Sequence, residues 1–188
     1  MRKKFTLFLV VVMLVGALGV MPAFAEVKQS TSGFSYVEPN GDQIMVSVAD
    51  PDLLIQVDGL YFRDLNKNGA LDVYEDWRQP VEARVADLMS QMTMEEKVGQ
   101  IIHSATAGKN GVHTNNVFND AVLYGTENSV VSPSDGAVYQ PMNFSVNEFH
   151  ITTYLSNISG HLKDQFDFIN AIQAIGEGHR LGFPIILA

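Results

Sequence analysis

The chain has 188 residues, with 12 lysines and arginines against 21 aspartates and glutamates, a net charge of −9, and no cysteine. This acidic balance excludes the basic patches by which proteins bind nucleic acid or anionic lipid. Without cysteine there are no disulfides, so the fold must rest on an ordinary core, with or without the help of a metal ion.

The first 25 residues predict a cleavable secretory signal peptide. Basic residues at 2–4 precede an uncharged apolar run at 5–20, and the small-residue site A-F-A at 23–25 follows Pro22. The alternative is an uncleaved membrane anchor, because the uncharged stretch is long enough to cross a bilayer. Cleavage predicts a secreted or periplasmic protein with no stable membrane insertion. It would also remove three basic residues and leave a charge of −12, from 9 basic and 21 acidic residues.

Residues 26–63 form a lead-in in which short strands are predicted. The segments 44–48 and 53–57 are rich in Val, Ile and Leu, and Asp50-Pro51-Asp52 between them is typical of a turn.

Residues 64–77 follow as a calcium-loop-like segment. The run DLNKNGALDVYE at 64–75 matches the calcium-loop pattern D-x-[DN]-x-[DN]-G-x5-E. Such loops wrap oxygen donors around a hard cation, and the glycine at the sixth position allows the sharp turn. The alternative is a solvated turn rich in Asx residues, since the loop occurs once and has no flanking helix pair. The predicted calcium ligands are Asp64, Asn66, Asn68, Ala70 through its carbonyl, Asp72 and Glu75.

A helix is predicted over 78–92, with Pro80 near its first turn, followed by a capping box. Thr93 caps the new turn and Glu96 three residues later reaches back to it. The apolar segment 98–102 is then predicted as a short buried strand. The apolar stripe of the first helix consists of Val81, Val85, Leu88, Met89 and Met92.

The segment 104–149 is rich in Gly, Asn, Ser and Thr and has little periodicity, which indicates an insertion or a lid. A strand at 151–155, a helix at 163–177 and an apolar strand at 183–188 then predict a βαβ unit of a parallel sheet. The helix is predicted to place Phe166, Ile169, Ile172 and Ile175 on one face. Because the last strand is followed by no covering helix, we expect a fragment of a larger domain.

The five histidines show no i, i+4 pair and have no cysteine near them, so a zinc site is not predicted. Glu95 and Glu96 resemble an acid/base pair, but their place at a helix start accounts for them. The histidines are His103, His113, His150, His161 and His179.

Two segments together resemble glycoside hydrolase family 3. Residues 84–100 (RVADLMSQMTMEEKVGQ) are similar to the family's R-V-x-D-L-L-x-x-M-T-x-E-E-K-x-G-Q. Residues 170–173 (NAIQ) and 178–188 (GHRLGFPIILA) are similar to its N-x-x-Q and R-L-G-I-P strand. The loop ending in Tyr74-Glu75-Asp76-Trp77 is also seen before this domain in secreted bacterial members. The resemblance covers about residues 59–188, loosely at 104–148.

The resemblance implies an α/β fold in which residues 78–188 begin a (β/α)8 TIM-like barrel that is incomplete in this chain. It implies removal of β-linked glucose or related sugars from non-reducing ends of oligosaccharides or β-glycosides. The implied mechanism is retaining, with an Asp nucleophile and a Glu acid/base. In the family these residues lie beyond the position of Ala188, so no catalytic residue is assigned, no substrate-binding residue is known, and the chain itself is expected to be inactive.

We hypothesise that residues 104–150 shape the sugar site of the full-length protein; the alternative is a disordered insertion. No cofactor is expected for catalysis, and calcium would be structural. The main alternative function is a non-catalytic, calcium-stabilised secreted binding module, similar to a dockerin but with one copy of the loop. A solute-binding protein would need a second lobe.

Overall fold

The structure of the chain, a computed structural model, describes residues 25–105, 123–128, 130–131, 138–155 and 162–188. The predicted signal peptide up to residue 24 and most of the 104–149 segment lie outside these residues. In the described part of the chain, no helix combines the length and apolar character needed to span a membrane.

The lead-in consists of short antiparallel strands. Strands β1 (Val27–Gln29), β2 (Ser35–Val37) and β3 (Val46–Val48) form one sheet in that order. A 3₁₀ turn at Pro51–Leu53 leads into the hairpin of β4 (Leu54–Val57) and β5 (Leu60–Arg63). The strands predicted at 44–48 and 53–57 are therefore present in shorter form.

Two helices follow the calcium-loop-like segment. Helix α1 (Val81–Gln91) begins later than predicted, because Pro80 is its extended N-cap residue, with φ −55° and ψ 144°. Much of the stripe on α1 faces solvent: Val81 and Val85 are 65% and 53% exposed, whereas Met92 is buried. Helix α2 (Met94–Gln100) starts with the predicted capping box.

The strand predicted at 98–102 is wrong. Val98 to Gln100 complete helix α2, and Ile101 is its C-cap residue. The capping box sets the start of the helix, and an apolar run as short as this one does not distinguish a strand from a helix. The strand of this region, β6 (His103–Ala105), begins only after the helix has ended.

The second half contains the predicted parallel sheet. Strand β9 (Thr153–Leu155) lies in its middle and pairs in parallel with β6 on one side and β10 (Ile186–Leu187) on the other. Helix α4 (Leu162–Gly178) connects β9 to β10, which confirms the βαβ unit. Helix α3 (Met142–Glu148) precedes β9, and a two-stranded hairpin is formed by β7 (Val130–Val131) and β8 (Val138–Tyr139).

The main core lies between this sheet and helices α3 and α4. Phe168, Ile172 and Ile175 of α4 pack with Tyr154 of β9 in one buried cluster. Phe166, which was predicted on the buried face, is 61% exposed, because the face is set by the spacing 168, 172 and 175. The strands β6, β9 and β10 follow one another in chain order across the sheet. The described residues include no closed barrel, so the barrel start stays a prediction.

Candidate functional site

The calcium-loop-like segment folds as a compact turn around two buried carboxylates. Asp64 and Glu75 are 5% and 4% exposed. Gly69 has φ 77°, the left-handed conformation that the sharp turn needs and glycine adopts without strain. The carboxylate of Asp64 accepts hydrogen bonds from the backbone N–H groups of Asn68 at 3.0 Å and Gly69 at 2.8 Å. The loop therefore closes on its own first residue.

The last residue of the loop is held by its backbone. Oε1 of Glu75 accepts from the N–H groups of Leu65 at 2.7 Å and Asn66 at 3.1 Å, and Oε2 accepts from that of Asp72 at 3.1 Å. Burial raises the pKa of Glu75 in spite of these bonds. Neutral N–H donors replace only part of the hydration that a carboxylate loses on burial. A cation bound nearby would therefore stabilise the charged form of Glu75.

The donor set fits a calcium ion in composition. Oxygen groups of six residues line the loop, and the side-chain amides of Asn66 and Asn68 both donate to Oδ2 of Asp72, at 2.5 and 2.7 Å. The amide oxygens of Asn66 and Asn68 accept from the backbone N–H groups of Asn68 at 3.2 Å and Ala70 at 2.7 Å, so both amides are held by the loop itself. The carboxylates of Asp64, Asp72 and Glu75 do not all place an oxygen within 4.8 Å of one another. The ligand assignment stays a prediction.

The same loop docks on the turn that joins α4 to β10, residues 178–183, here called the α4–β10 turn. Nζ of Lys67 donates to the carbonyls of Glu177, Gly178 and His179 at 3.1 to 3.2 Å. These are carbonyls at the end of helix α4, where a cation is favourable. Gly182 lies so close to Leu65 that a Cβ at Gly182 would come within 2.6 Å of the Cβ of Leu65.

A second candidate site lies where α2, the segment before β9 and the α4–β10 turn meet. Glu96, His150 and His179 place ligand-type atoms within 4.8 Å of one another, the one such group of three among the described residues. Together with Arg180 they are called the histidine cluster. Glu96 and His179 are each 2% exposed.

Arg180 neutralises the buried carboxylate of this cluster. Its Nη2 donates to Oε2 of Glu96 at 2.6 Å and its Nε donates to Oε1 at 3.1 Å. The N–H of Thr93 donates to the same carboxylate at 2.8 Å. Burial alone would raise the pKa of Glu96, but the bonds from Arg180 and Thr93 outweigh it and the pKa is lowered.

The two histidines complete the cluster. Nδ1 of His150 lies 3.0 Å from Nε2 of His179, and Oε1 of Glu96 lies 3.8 Å from that same Nε2. Phe183 stacks on the ring of His179 with centroids 4.5 Å apart. Gln100 fixes the neighbouring backbone, since its amide donates to the carbonyl of His150 at 2.9 Å.

Sequence reasoning found the capping role of Glu96 but missed this cluster. Its members come from positions 96, 150 and 179–180, and no spacing rule links such distant residues. One available signal was the resemblance itself, because Glu96 and Arg180 lie in the two quoted motifs. Gln173 of the N-x-x-Q motif has a similar structural role. It pairs with the backbone of Ile185 through both its amide oxygen and its amide nitrogen.

Comparison with known proteins gives two related enzymes. The chain is 32% identical over 136 residues to the periplasmic beta-glucosidase/beta-xylosidase of Dickeya chrysanthemi, an alignment that covers 72% of the chain. It is 28% identical over 126 residues, or 66% of the chain, to beta-glucosidase C of Emericella nidulans. The alignments span 18% and 17% of these relatives, so the chain matches less than a fifth of their length. No protein-family model matches the chain.

Both relatives are named as enzymes that act on β-glycosides, so the class to which the chain is related is that of the glycosidases. Within this class, the chain is a β-glucosidase-like relative of glycoside hydrolase family 3. The family resemblance predicted from residues 84–100, 170–173 and 178–188 is thereby confirmed.

Proposed function

We propose that this chain contributes to a glycoside hydrolase that releases β-linked glucose or a related sugar from the non-reducing ends of oligosaccharides or β-glycosides, with retention of configuration. The observation that carries the proposal is the 32% identity to a beta-glucosidase/beta-xylosidase over 72% of the chain. Because the match spans under a fifth of that relative, the activity is proposed for a whole protein rather than for these 188 residues.

The arrangement of the parallel sheet supports a barrel-type scaffold for that protein. Three parallel strands in chain order, with helix α4 as the crossover, are what the opening of a (β/α)8 barrel requires. Active sites of such barrels lie at the carboxyl ends of the strands. We therefore keep the hypothesis that the segment after β6, residues 104–150, shapes the sugar site, although most of it lies outside the described residues.

A chimera tests the proposal. The aligned segment of the Dickeya enzyme is replaced by the matching residues of this chain, and hydrolysis of 4-nitrophenyl β-glucoside and β-xyloside is measured. We expect measurable hydrolysis, with the β anomer of the sugar released first in a proton NMR time course, whereas the 188-residue chain alone should be inactive. A chimera that is folded by circular dichroism yet inactive on both substrates would contradict the proposal.

A deletion variant of the chimera, which lacks residues 106–122, tests the second hypothesis, that residues 104–150 shape the sugar site. If this segment shapes the sugar site, the deletion lowers kcat/KM and leaves the melting temperature nearly unchanged. Unchanged kcat/KM would discard the hypothesis.

Two further parts of the proposal concern location and metal. We propose export to the periplasm or the extracellular space, supported by the periplasmic relative and by residues 1–25. Fusion of residues 1–25 to alkaline phosphatase lacking its own signal should give periplasmic phosphatase activity, which should be lost when residues 5–20 are deleted.

We also propose structural calcium at the 64–75 loop, supported by the motif and by the burial of Asp64 and Glu75.

A further inference from the structure

The hydrogen bonds around His179 define its tautomer. The backbone N–H of Leu181 donates to Nδ1 of His179 at 3.2 Å in a buried setting. Nδ1 must therefore be unprotonated, and the neutral ring carries its hydrogen on Nε2. That hydrogen points to Nδ1 of His150 at 3.0 Å, with Glu96 behind it at 3.8 Å.

This tautomer argues against a metal at the three ligand-type atoms. A metal on Nε2 of His179 would require the hydrogen to move to Nδ1, where it would face the N–H of Leu181. Both oxygens of Glu96 are already bound by the guanidinium of Arg180, which also places a positive charge beside the metal position. The cluster fits a neutral histidine better than a cation.

We propose that the histidine cluster is an acid-sensitive joint: the α4–β10 turn keeps its folded conformation beside α2 and the segment before β9 while His179 is neutral, and proton uptake by His179 opens the turn. The only lone pair of neutral His179 that can take a proton is on Nδ1. Protonation there removes the acceptor of the Leu181 N–H, so the bond within the turn is necessarily lost.

The charged groups that face His179 come from four parts of the chain. Glu96 of α2 favours the protonated ring, whereas His150, the adjacent Arg180 and Lys67 of the loop oppose it. Burial is the largest influence and lowers the pKa of His179 to about 4, against about 6.5 in an unfolded chain.

The sign of the pH effect follows from this difference. Between about pH 6.5 and 4 the unfolded chain binds a proton at His179 that the folded chain does not. The stabilising effect of the neutral ring is therefore fully present above pH 6.5 and is lost as the pH falls toward 4. From well above pH 6.5 to well below pH 4 the unfolding equilibrium constant should rise by about 300-fold from this residue alone, and about 80-fold of this rise should fall between pH 6.5 and pH 4. Glu75 and Glu177, whose pKa values burial raises, act in the opposite direction, so variants must be compared.

The experiment follows unfolding of the full chain by urea from pH 8 to pH 4. His179→Asn keeps a side-chain oxygen near the Nδ1 position for Leu181 but cannot titrate, and it should remove most of the acid dependence. The matched control is His150→Asn, which keeps an acceptor for His179. Its site has φ 57°, a conformation that asparagine tolerates. This control should keep the acid dependence and move its midpoint to higher pH, because His150 lowers the pKa of His179.

Nitrogen NMR of the wild-type histidine rings gives a second measurement that does not depend on either variant folding. We expect Nε2 of His179 to be protonated and Nδ1 unprotonated at pH 7, with titration well below pH 6. A proton on Nδ1 at pH 7, titration near pH 6.5, or equal acid dependence in His179→Asn and wild type would overturn the proposal. A rise in melting temperature with zinc that His150→Asn abolishes would also overturn it, in favour of a metal site.

Discussion

The 64–75 loop and the histidine cluster both bury carboxylates, but they compensate the charge differently. Glu75 is bound by backbone N–H groups from residues no more than 10 positions away, and its pKa is raised by burial. Glu96 is bound by a guanidinium 84 residues away, and its pKa is lowered. The cluster already contains its cation, whereas the loop presents a partly compensated negative site. This difference is why calcium is proposed for the loop and a proton-linked role for the cluster.

The largest effect on the free energy of unfolding is expected from a larger side chain at Gly99, where α2 contacts the segment before β9. A Cβ at Gly99 would come within 2.5 Å of the carbonyl oxygen of His150 and 2.6 Å of that of Phe149. These are backbone atoms that side-chain rotation cannot move aside. Gly99→Ala should therefore lower the free energy of unfolding by about 3 kcal/mol or more, measured by urea denaturation at pH 7.

The control for this substitution is Gly178→Ala at the end of α4, where a new Cβ has nothing within 4 Å. We expect a change of about 1 kcal/mol or less, since only helix propensity is altered. Equal losses in the two variants would show that the contact between α2 and the segment before β9 is not what holds the cluster.

The second-largest loss of free energy of unfolding is expected when Arg180, the distant partner of Glu96, is removed. Arg180→Ala leaves a carboxylate that is 2% exposed without its guanidinium. Breaking a fully buried pair costs about 3–5 kcal/mol, and because the side chain of Arg180 is 53% exposed we expect a smaller loss, about 2 kcal/mol. The exposed pair of Lys163 and Asp167 is the control, and Lys163→Ala should cost less than about 0.5 kcal/mol.

These predictions depend on contacts that differ in how far they could be predicted. The capping box was predicted from residues 93–96 because its partners are three residues apart and every contact is local. The parallel sheet was predicted because buried parallel strands are continuous apolar runs separated by a helix. The segment 98–102 was misassigned for a related reason: a short apolar run is compatible with both structures, and only the helix start at Thr93 decides between them.

The histidine cluster could not be predicted from spacing. Arg180 meets Glu96, and His179 meets His150, only because the parallel sheet brings the α4–β10 turn beside α2 and the start of β9. The exposure of much of the α1 stripe was equally inaccessible, since an amphipathic stripe predicts a helix but not whether a neighbour covers it. Local hydrogen-bonding patterns were therefore predictable, and the site formed by tertiary contacts was not.

A smaller effect is expected from calcium at the loop. If its affinity is about 1 mM, as in extracellular modules, 10 mM calcium should add about 1.4 kcal/mol to the free energy of unfolding, and EDTA should reverse the gain. Differential scanning calorimetry with and without calcium measures this shift. The control is Asp72→Asn, which removes a carboxylate that accepts two amide bonds and should abolish the calcium effect. The absence of any shift in wild type would refute calcium binding.

The smallest effect is expected where a local contact acts on the cluster. Oγ1 of Thr93 accepts the N–H of Glu96 at 3.2 Å, and Thr93→Ala should cost about 1 kcal/mol, the usual value of a helix cap. Thr93→Ser keeps the cap and should cost little. The carboxylate of Glu96 retains Arg180 in both variants, so the acid dependence of unfolding should match wild type. A loss in Thr93→Ala as large as in Arg180→Ala would mean that the capping box, rather than the distant guanidinium, keeps Glu96 in place.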